Sequence, residues 1–157
     1  MAASPLRVAV AELIGRPGAH RRVDGSTELG DLILEVTDVA AGPTVELELD
    51  ISTIVEGLSV QGRVRASWRG SCRRCLEPVG GTLAPALDEV FTDDPVEGET
   101  RPIVDDHIDL EPVVRETVML ALPLAPLCAD DCVGPDPERY PTRSPDDGTD
   151  GADDEPK

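Results

Sequence analysis

The segment that decides the fold is residues 56–79, Glu-Gly-Leu-Ser-Val-Gln-Gly-Arg-Val-Arg-Ala-Ser-Trp-Arg-Gly-Ser-Cys-Arg-Arg-Cys-Leu-Glu-Pro-Val. From Leu58 to Cys72, apolar or small side chains alternate with polar or charged ones, which is the pattern of a half-buried β-strand. Cys72 is in phase with the buried face, whereas the opposite face presents arginines to solvent. Cys75 follows after two residues, the short spacing at which two thiolates of one turn bind the same metal ion.

A second strand is predicted immediately before this segment. Residues 45–51 alternate aliphatic and acidic side chains without interruption, and Pro43 and Glu56-Gly57 mark the ends of the strand. The two strands should form an antiparallel pair. Their outward faces would then bring together three acids and three arginines: Glu46, Glu48 and Asp50 with Arg63, Arg65 and Arg69. Such cross-strand pairing is enough to account for the arginines without a ligand.

The remainder of the chain predicts an α+β fold, with an antiparallel sheet of four or more strands or a partly closed barrel. Leu32 to Val39 and Thr82 to Phe91 are further strand candidates, the second interrupted at Pro85, which implies an edge or a bulge. A helix is predicted over about 110–121, packed on the sheet, with Asp109 as its N-cap.

Three segments outside these elements are less regular. Ser4-Pro5 and the spacing of the following aliphatic residues favour a short N-terminal helix, although a strand there stays open. Residues 19–30 and 92–107 are polar and are predicted to be loops, which would leave His20 and His107 solvated.

The composition limits the classes of function. Among 157 residues, 32 acidic against 14 basic side chains give a net charge of −18, which opposes nucleic-acid binding by the surface as a whole. No leader peptide and no apolar run of about 18 residues is found, so a soluble cytoplasmic protein is expected. Residues 1–133 are predicted to form one domain, and residues 134–157 an acidic, proline-rich disordered tail.

The four cysteines occur as two close pairs, Cys72 with Cys75 and Cys128 with Cys132. In a reducing compartment this arrangement favours a metal site over disulfides, and four thiolates suit one tetrahedral, structural Zn²⁺. Four unliganded thiols, and a disulfide or redox pair, are the alternatives. A thioredoxin-like redox pair needs its first cysteine at a helix N-terminus, whereas this motif follows a strand.

The chain resembles the YceD family, which is named for the accumulation of large-subunit ribosomal RNA. The resemblance covers roughly residues 5–133 and is carried by five segments: Pro17-Gly18, Glu56-Gly57-Leu58-Ser59-Val60-Gln61-Gly62, Cys72-Arg73-Arg74-Cys75-Leu76-Glu77-Pro78, Ile108-Asp109-Leu110-Glu111-Pro112-Val113-Val114-Arg115-Glu116 and Leu122-Pro123-Leu124-Ala125-Pro126-Leu127-Cys128. It implies a factor in large ribosomal subunit assembly that supports accumulation or processing of 23S rRNA.

No hydrolase elbow, phosphate-binding loop or dinucleotide fingerprint occurs in the sequence, so the protein is expected not to be an enzyme and to have no small-molecule substrate. A thiol redox enzyme, and an acidic nucleic-acid mimic that binds a basic protein, are the alternative functions. Two surfaces could meet an assembling subunit. The first surface would contact pre-rRNA and consists of the arginines Arg63, Arg65, Arg69, Arg73 and Arg74. The second would contact a basic ribosomal protein and consists of the aspartates Asp93, Asp94, Asp105 and Asp106.

Overall fold

The computed structural model describes residues 6–30, 32–34, 38–136 and 138. Most of the predicted tail, residues 134–157, lies outside the described residues, namely residue 137 and residues 139–157. Nine strands and one helix are described: β1 (Arg7–Ala9), β2 (His20–Glu28), β3 (Leu32–Leu34), β4 (Val39–Ile54), β5 (Gly57–Ser71), β6 (Pro78–Leu83), β7 (Ala86–Thr92), β8 (Arg101–Pro102), β9 (His107–Asp109) and α1 (Glu111–Ala121). The α+β prediction is confirmed.

The fold is built on the antiparallel hairpin of β4 and β5, as the alternation predicts. Leu47 lies opposite Val64, and a two-residue turn joins the strands between Ile54 and Gly57. The strands approach closely at Gly62, where a Cβ atom would lie 2.0 Å from the carbonyl oxygen of Glu48. Only glycine fits this position, since its φ of 157° also lies in the region that side chains disfavour.

The other strands extend this hairpin into an open sheet. Strand β2 pairs with β4 on one side, β7 pairs with β5 on the other, and the short β8 runs parallel to β7 at the far edge. Strand β3 adds to β4, and β6 adds to β5, while β1 and β9 form a separate two-stranded sheet. In the described part of the chain no pairing closes the sheet into a barrel.

Helix α1 covers the apolar side of the sheet and confirms the predicted helix. Val113, Val114 and Val118 are buried on its inner face. The N-cap residue is Leu110, so the prediction of Asp109 at that position is wrong by one residue. The Asp109 carboxylate nevertheless accepts a hydrogen bond of 3.0 Å from the backbone N–H of Glu111, which satisfies one free donor of the first turn. The chain leaves the helix in extended conformation at Leu122, directly before Pro123.

The sequence predicts that two prolines interrupt or end strands, and only one of them does. Pro85 separates β6 from β7, and Val64 donates a backbone hydrogen bond of 3.1 Å to its carbonyl, so the predicted interruption is confirmed. The prediction that Pro43 ends a strand is wrong. Pro43 lies within β4, at the point where the register to β5 shifts between Ala41 and Val45. Proline has no backbone N–H to donate, and it is tolerated here because the regular hydrogen-bond ladder is interrupted by this shift.

The structure corrects the predictions for three less regular segments. Residues 7–9 form β1, the strand that the sequence left open, rather than the favoured helix, because they pair with β9; Ser4-Pro5 lies outside the described residues. Residues 20–28 form β2 although the segment is polar, since its backbone completes the edge of the sheet against β4. The predicted loop 92–107 contains β8 and His107, the first residue of β9, and His20 is the first residue of β2. His20 is exposed as expected, whereas His107 is half-buried.

Candidate metal centre

The first cysteine pair sits on a tight turn at the end of β5. Cys72 keeps the buried phase of the strand and is fully buried, as its position in the alternation predicts. Its N–H donates to the carbonyl of Glu77 at 2.8 Å, and its own carbonyl accepts from the N–H of Leu76 at 2.9 Å. Leu76 adopts a positive φ of 63°, which reverses the chain so that β6 can return along β5.

The second pair lies on the segment after α1 and is held against this turn by polar contacts. The N–H of Arg73 donates to the carbonyl of the buried Pro126 at 2.8 Å. The Arg74 guanidinium donates to the carbonyl oxygen of Cys132 at 2.7 Å and to that of Asp130 at 3.4 Å. These contacts bring together two segments that are more than fifty residues apart in the chain.

All four sulfur atoms converge. Their Sγ atoms lie within 4.8 Å of one another, with separations of 3.6 Å between Cys75 and Cys128 and 3.8 Å between Cys72 and Cys132. Four thiolates about 2.3 Å from one tetrahedral Zn²⁺ would be about 3.8 Å apart, so the two measured separations fit such a site. All four cysteines are free, since a disulfide would need sulfurs about 2.05 Å apart.

The electrostatics of the cluster favour a bound cation. Backbone hydrogen bonding from Cys75, helped by Cys128 and Arg74, lowers the pKa of the Cys72 thiol to about 6 against the opposing effect of burial. Side-chain hydrogen bonding with Cys132, Cys75 and Cys72 raises the pKa of Cys128 to about 12. The lowered pKa of Cys72 therefore lets its thiol ionise near neutral pH, while the raised pKa of Cys128 keeps that thiol protonated until a cation compensates its charge.

The predicted basic patch is divided by the structure. Arg63, Arg65 and Arg69 are exposed on the outer face of β5, whereas Arg73 and Arg74 belong to the cysteine turn. Arg65 lies opposite Glu46 and Arg63 opposite Glu48, as the strand pairing predicts, although within the described residues no ion pair joins them.

Two details of that prediction are wrong. Arg69 lies opposite Ala40 rather than an acid, because residues 39–45 of β4 contain no acidic side chain, and Asp50 lies opposite Gln61. Arg74 is engaged by the carbonyls of the second cysteine segment, which makes it part of the metal centre's framework.

The predicted acidic surface lies on two separate turns. Asp93 and Asp94 follow β7, whereas Asp105 and Asp106 form the two-residue turn between Val104 and His107. Both aspartates of the second turn have positive φ, 52° and 60°, and the Asp106 carbonyl accepts a hydrogen bond from Val10. Across the described residues, the cysteine cluster is the one group of three or more potential ligands close enough to hold an ion.

Sequence reasoning missed the contacts of Arg74 and Pro126 with the opposite cysteine segment. The sequence carries no periodic signal for them, because neither residue lies in a helix or a strand. The only indication was the pairing of the four cysteines themselves. No helix within the described part of the chain is long and apolar enough to cross a membrane.

Comparison with known proteins adds a family likeness. The profile of the family described as "Large ribosomal RNA subunit accumulation protein YceD" matches residues 60–157, more than half of the chain. Proteins of Mycobacterium tuberculosis and Mycobacterium bovis, both described as uncharacterized, are 38% identical over 143 residues, covering 84% of this chain and 68% of theirs. An uncharacterized protein of Mycobacterium leprae is 30% identical over 145 residues, covering 83% of this chain and 64% of its own. No solved structure matches the chain.

Proposed function

We propose, because this chain belongs to the YceD family, that it acts in the cytoplasm as a non-enzymatic factor in large ribosomal subunit assembly. The observation that carries the proposal is the family match, whose name refers to the accumulation of large-subunit ribosomal RNA. In this role the protein supports accumulation or processing of 23S rRNA. It acts through binding rather than through chemistry on a substrate.

The cysteine cluster holds one structural Zn²⁺ in this proposal. The support is the convergence of four sulfurs at separations suited to tetrahedral coordination, with Cys72 buried on the core side. Thiolates are soft ligands that favour zinc over magnesium or calcium. With four protein ligands the coordination shell is closed, which is typical of structural rather than catalytic zinc. The ion would join the end of β5 to the segment that follows α1.

The geometry weighs against the thiol redox alternative. A reactive cysteine must be both accessible and of low pKa. Here the two properties fall on different residues: Cys72 has the lowered pKa but is fully buried, whereas Cys128 is exposed and has a raised pKa.

A basic ribosomal protein is the proposed direct partner, in preference to pre-rRNA. The net charge of −18 attracts a basic partner and repels an RNA backbone. The basic patch is also smaller than the sequence predicts, because Arg74 is already bound within the metal centre.

The proposal is tested first in cells. Deleting the gene should lower the ratio of mature large subunits to small subunits on a sucrose gradient and cause 23S precursors to accumulate, and a plasmid copy should restore both. Unchanged subunit and rRNA profiles would contradict the assembly function.

Charge variants then identify the partner. Neutralising Asp93, Asp94, Asp105 and Asp106 should abolish co-sedimentation with subunit precursors if the protein partner is correct. Reversing Arg65, Arg69 and Arg73 to Glu should do so only if RNA is the partner. Binding of the purified protein to basic proteins in general, without any association with precursors, would favour the nucleic-acid mimic.

A further inference from the structure

An apolar groove lies at the end of the sheet opposite the metal centre. Its volume is about 660 Å³, and it is formed between the Pro17-Gly18 loop, the turn joining β4 to β5, and the chain around Ile103. The β4–β5 turn and Cys72 are at opposite ends of β5, so the groove and the metal centre are separate sites.

The groove exposes aliphatic side chains that the fold itself does not need. Val55, at the tip of the hairpin, is fully exposed, and the neighbouring Ile54 is 40% exposed. Val55 is the first of the two residues of the β4–β5 turn, and the turn itself gives its side chain nothing to pack against. In the isolated chain Val55 gains no burial and Ile54 is only partly buried, and an exposed apolar patch of this kind marks an interaction surface.

The charged side chains of the groove are acidic. Glu56 and Asp93 line it, and within the described residues neither carboxylate takes part in an ion pair or a side-chain hydrogen bond. The Thr53 hydroxyl also lines the groove but donates to the Leu13 carbonyl at 2.8 Å. No lysine or arginine is among the lining residues, and Arg16 lies between two of them in sequence without lining the groove.

We propose that this groove binds a short segment of a basic protein, in which an aliphatic side chain lies next to lysine or arginine. The aliphatic side chain packs against Ile54 and Val55, and the cationic side chain reaches Glu56 and Asp93. Charge complementarity selects this occupant, because the free side-chain polar groups are carboxylates and the whole chain is strongly acidic. The inference rests on the proposed function and assigns the docking site to its basic partner.

The test uses the full-length, zinc-supplemented protein and two short synthetic peptides. One contains lysines and leucines, and in the other each leucine is replaced by glutamine. The variants are Val55→Ser for the apolar contact and Glu56→Gln with Asp93→Asn for the charged one. Their matched controls are Leu120→Gln, an exposed aliphatic residue on α1, and Glu46→Gln with Glu48→Gln on the outer face of the sheet.

Fluorescence anisotropy should show tighter binding of the leucine peptide by the parent protein. Val55→Ser should weaken that binding about tenfold, the effect of losing most of one aliphatic burial. The variant with both Glu56→Gln and Asp93→Asn should also bind the leucine peptide more weakly, and its affinity should depend less on salt concentration. Both control variants should bind the peptide as the parent does.

Several results would overturn the docking site. One is equal affinity of the parent for the two peptides, and another is an equal loss of peptide affinity in Val55→Ser and Leu120→Gln. A third is a dimer of the parent protein that Val55→Ser dissociates, which would make a second copy of the chain the occupant of the groove. The two proposals are separable in cells: if Val55→Ser still associates with subunit precursors like the parent, the groove is excluded and the assembly function stands. If the parent itself shows no association, the assembly function fails, and the peptide affinities still decide the groove.

Discussion

Substituting Cys128 by serine, or removing the metal with a chelator, should release the segment after α1 while leaving the sheet folded. Cys128 is the most suitable ligand to change because it is exposed, so that its loss does not disturb the core, whereas Cys72 is fully buried. The segment in question, residues 123–132, contains no helix or strand.

The magnitude follows from the contacts of that segment. Ordering ten backbone residues costs about 10 kcal/mol at the lower bound of about 1 kcal/mol each. Three hydrogen bonds to the cysteine turn return about 3 kcal/mol. Burial of Pro126 and part of Leu127 returns about 2 kcal/mol more. The shortfall of about 5 kcal/mol lies within the roughly 10 kcal/mol or more that structural zinc supplies.

Hydrogen exchange together with elemental analysis measures the effect. The parent should contain about one Zn²⁺ per chain, and Cys128→Ser should lose it to a chelator that the parent resists. In the metal-free protein the amides of Arg73 and Cys132 should exchange rapidly, because their acceptors lie in the released segment, while those of Val60 and Ile51 stay protected. Ala129→Ser, an exposed change in the same segment, is the control. Unchanged protection of Arg73 and Cys132 in the metal-free protein would refute the reasoning, as would a parent that contains far less than equimolar metal.

Two further predictions concern the central hairpin and the pH dependence of the metal centre. Gly62→Ala should lower the free energy of unfolding in urea by about 3 kcal/mol or more, because its Cβ would collide with the Glu48 carbonyl. Gly25→Ala, at a similar φ of 153° but in open space, should cost less, and equal losses would show that close approach is not the cause. Bound zinc should be retained at pH 8 and lost at pH 5, since protons compete with the metal for the four thiolates as the pH falls. Dialysis followed by elemental analysis checks this, and equal zinc content at pH 5 and pH 8 would contradict it.

The sequence by itself determined the centre of the fold. The alternation in residues 45–51 and 58–72 specified two half-buried strands, their antiparallel pairing and the buried position of Cys72, because side chains on a strand repeat every two residues. The spacing of Val114 and Val118 specified α1 in the same way, through the period of the helix. These are local signals, and each can be read within a window of about a dozen residues.

Only the tertiary structure decided the features that depend on distant partners. Polar β2 is a strand because β4 offers its backbone an edge, and β1 is a strand because β9 lies beside it. Arg74 belongs to the metal centre because the carbonyl of Cys132 is folded against it, and the groove exists because the Pro17-Gly18 loop lies beside the β4–β5 turn. Backbone hydrogen bonds and loop contacts of this kind do not require a particular side-chain pattern, and periodicity in the sequence therefore could not reveal them.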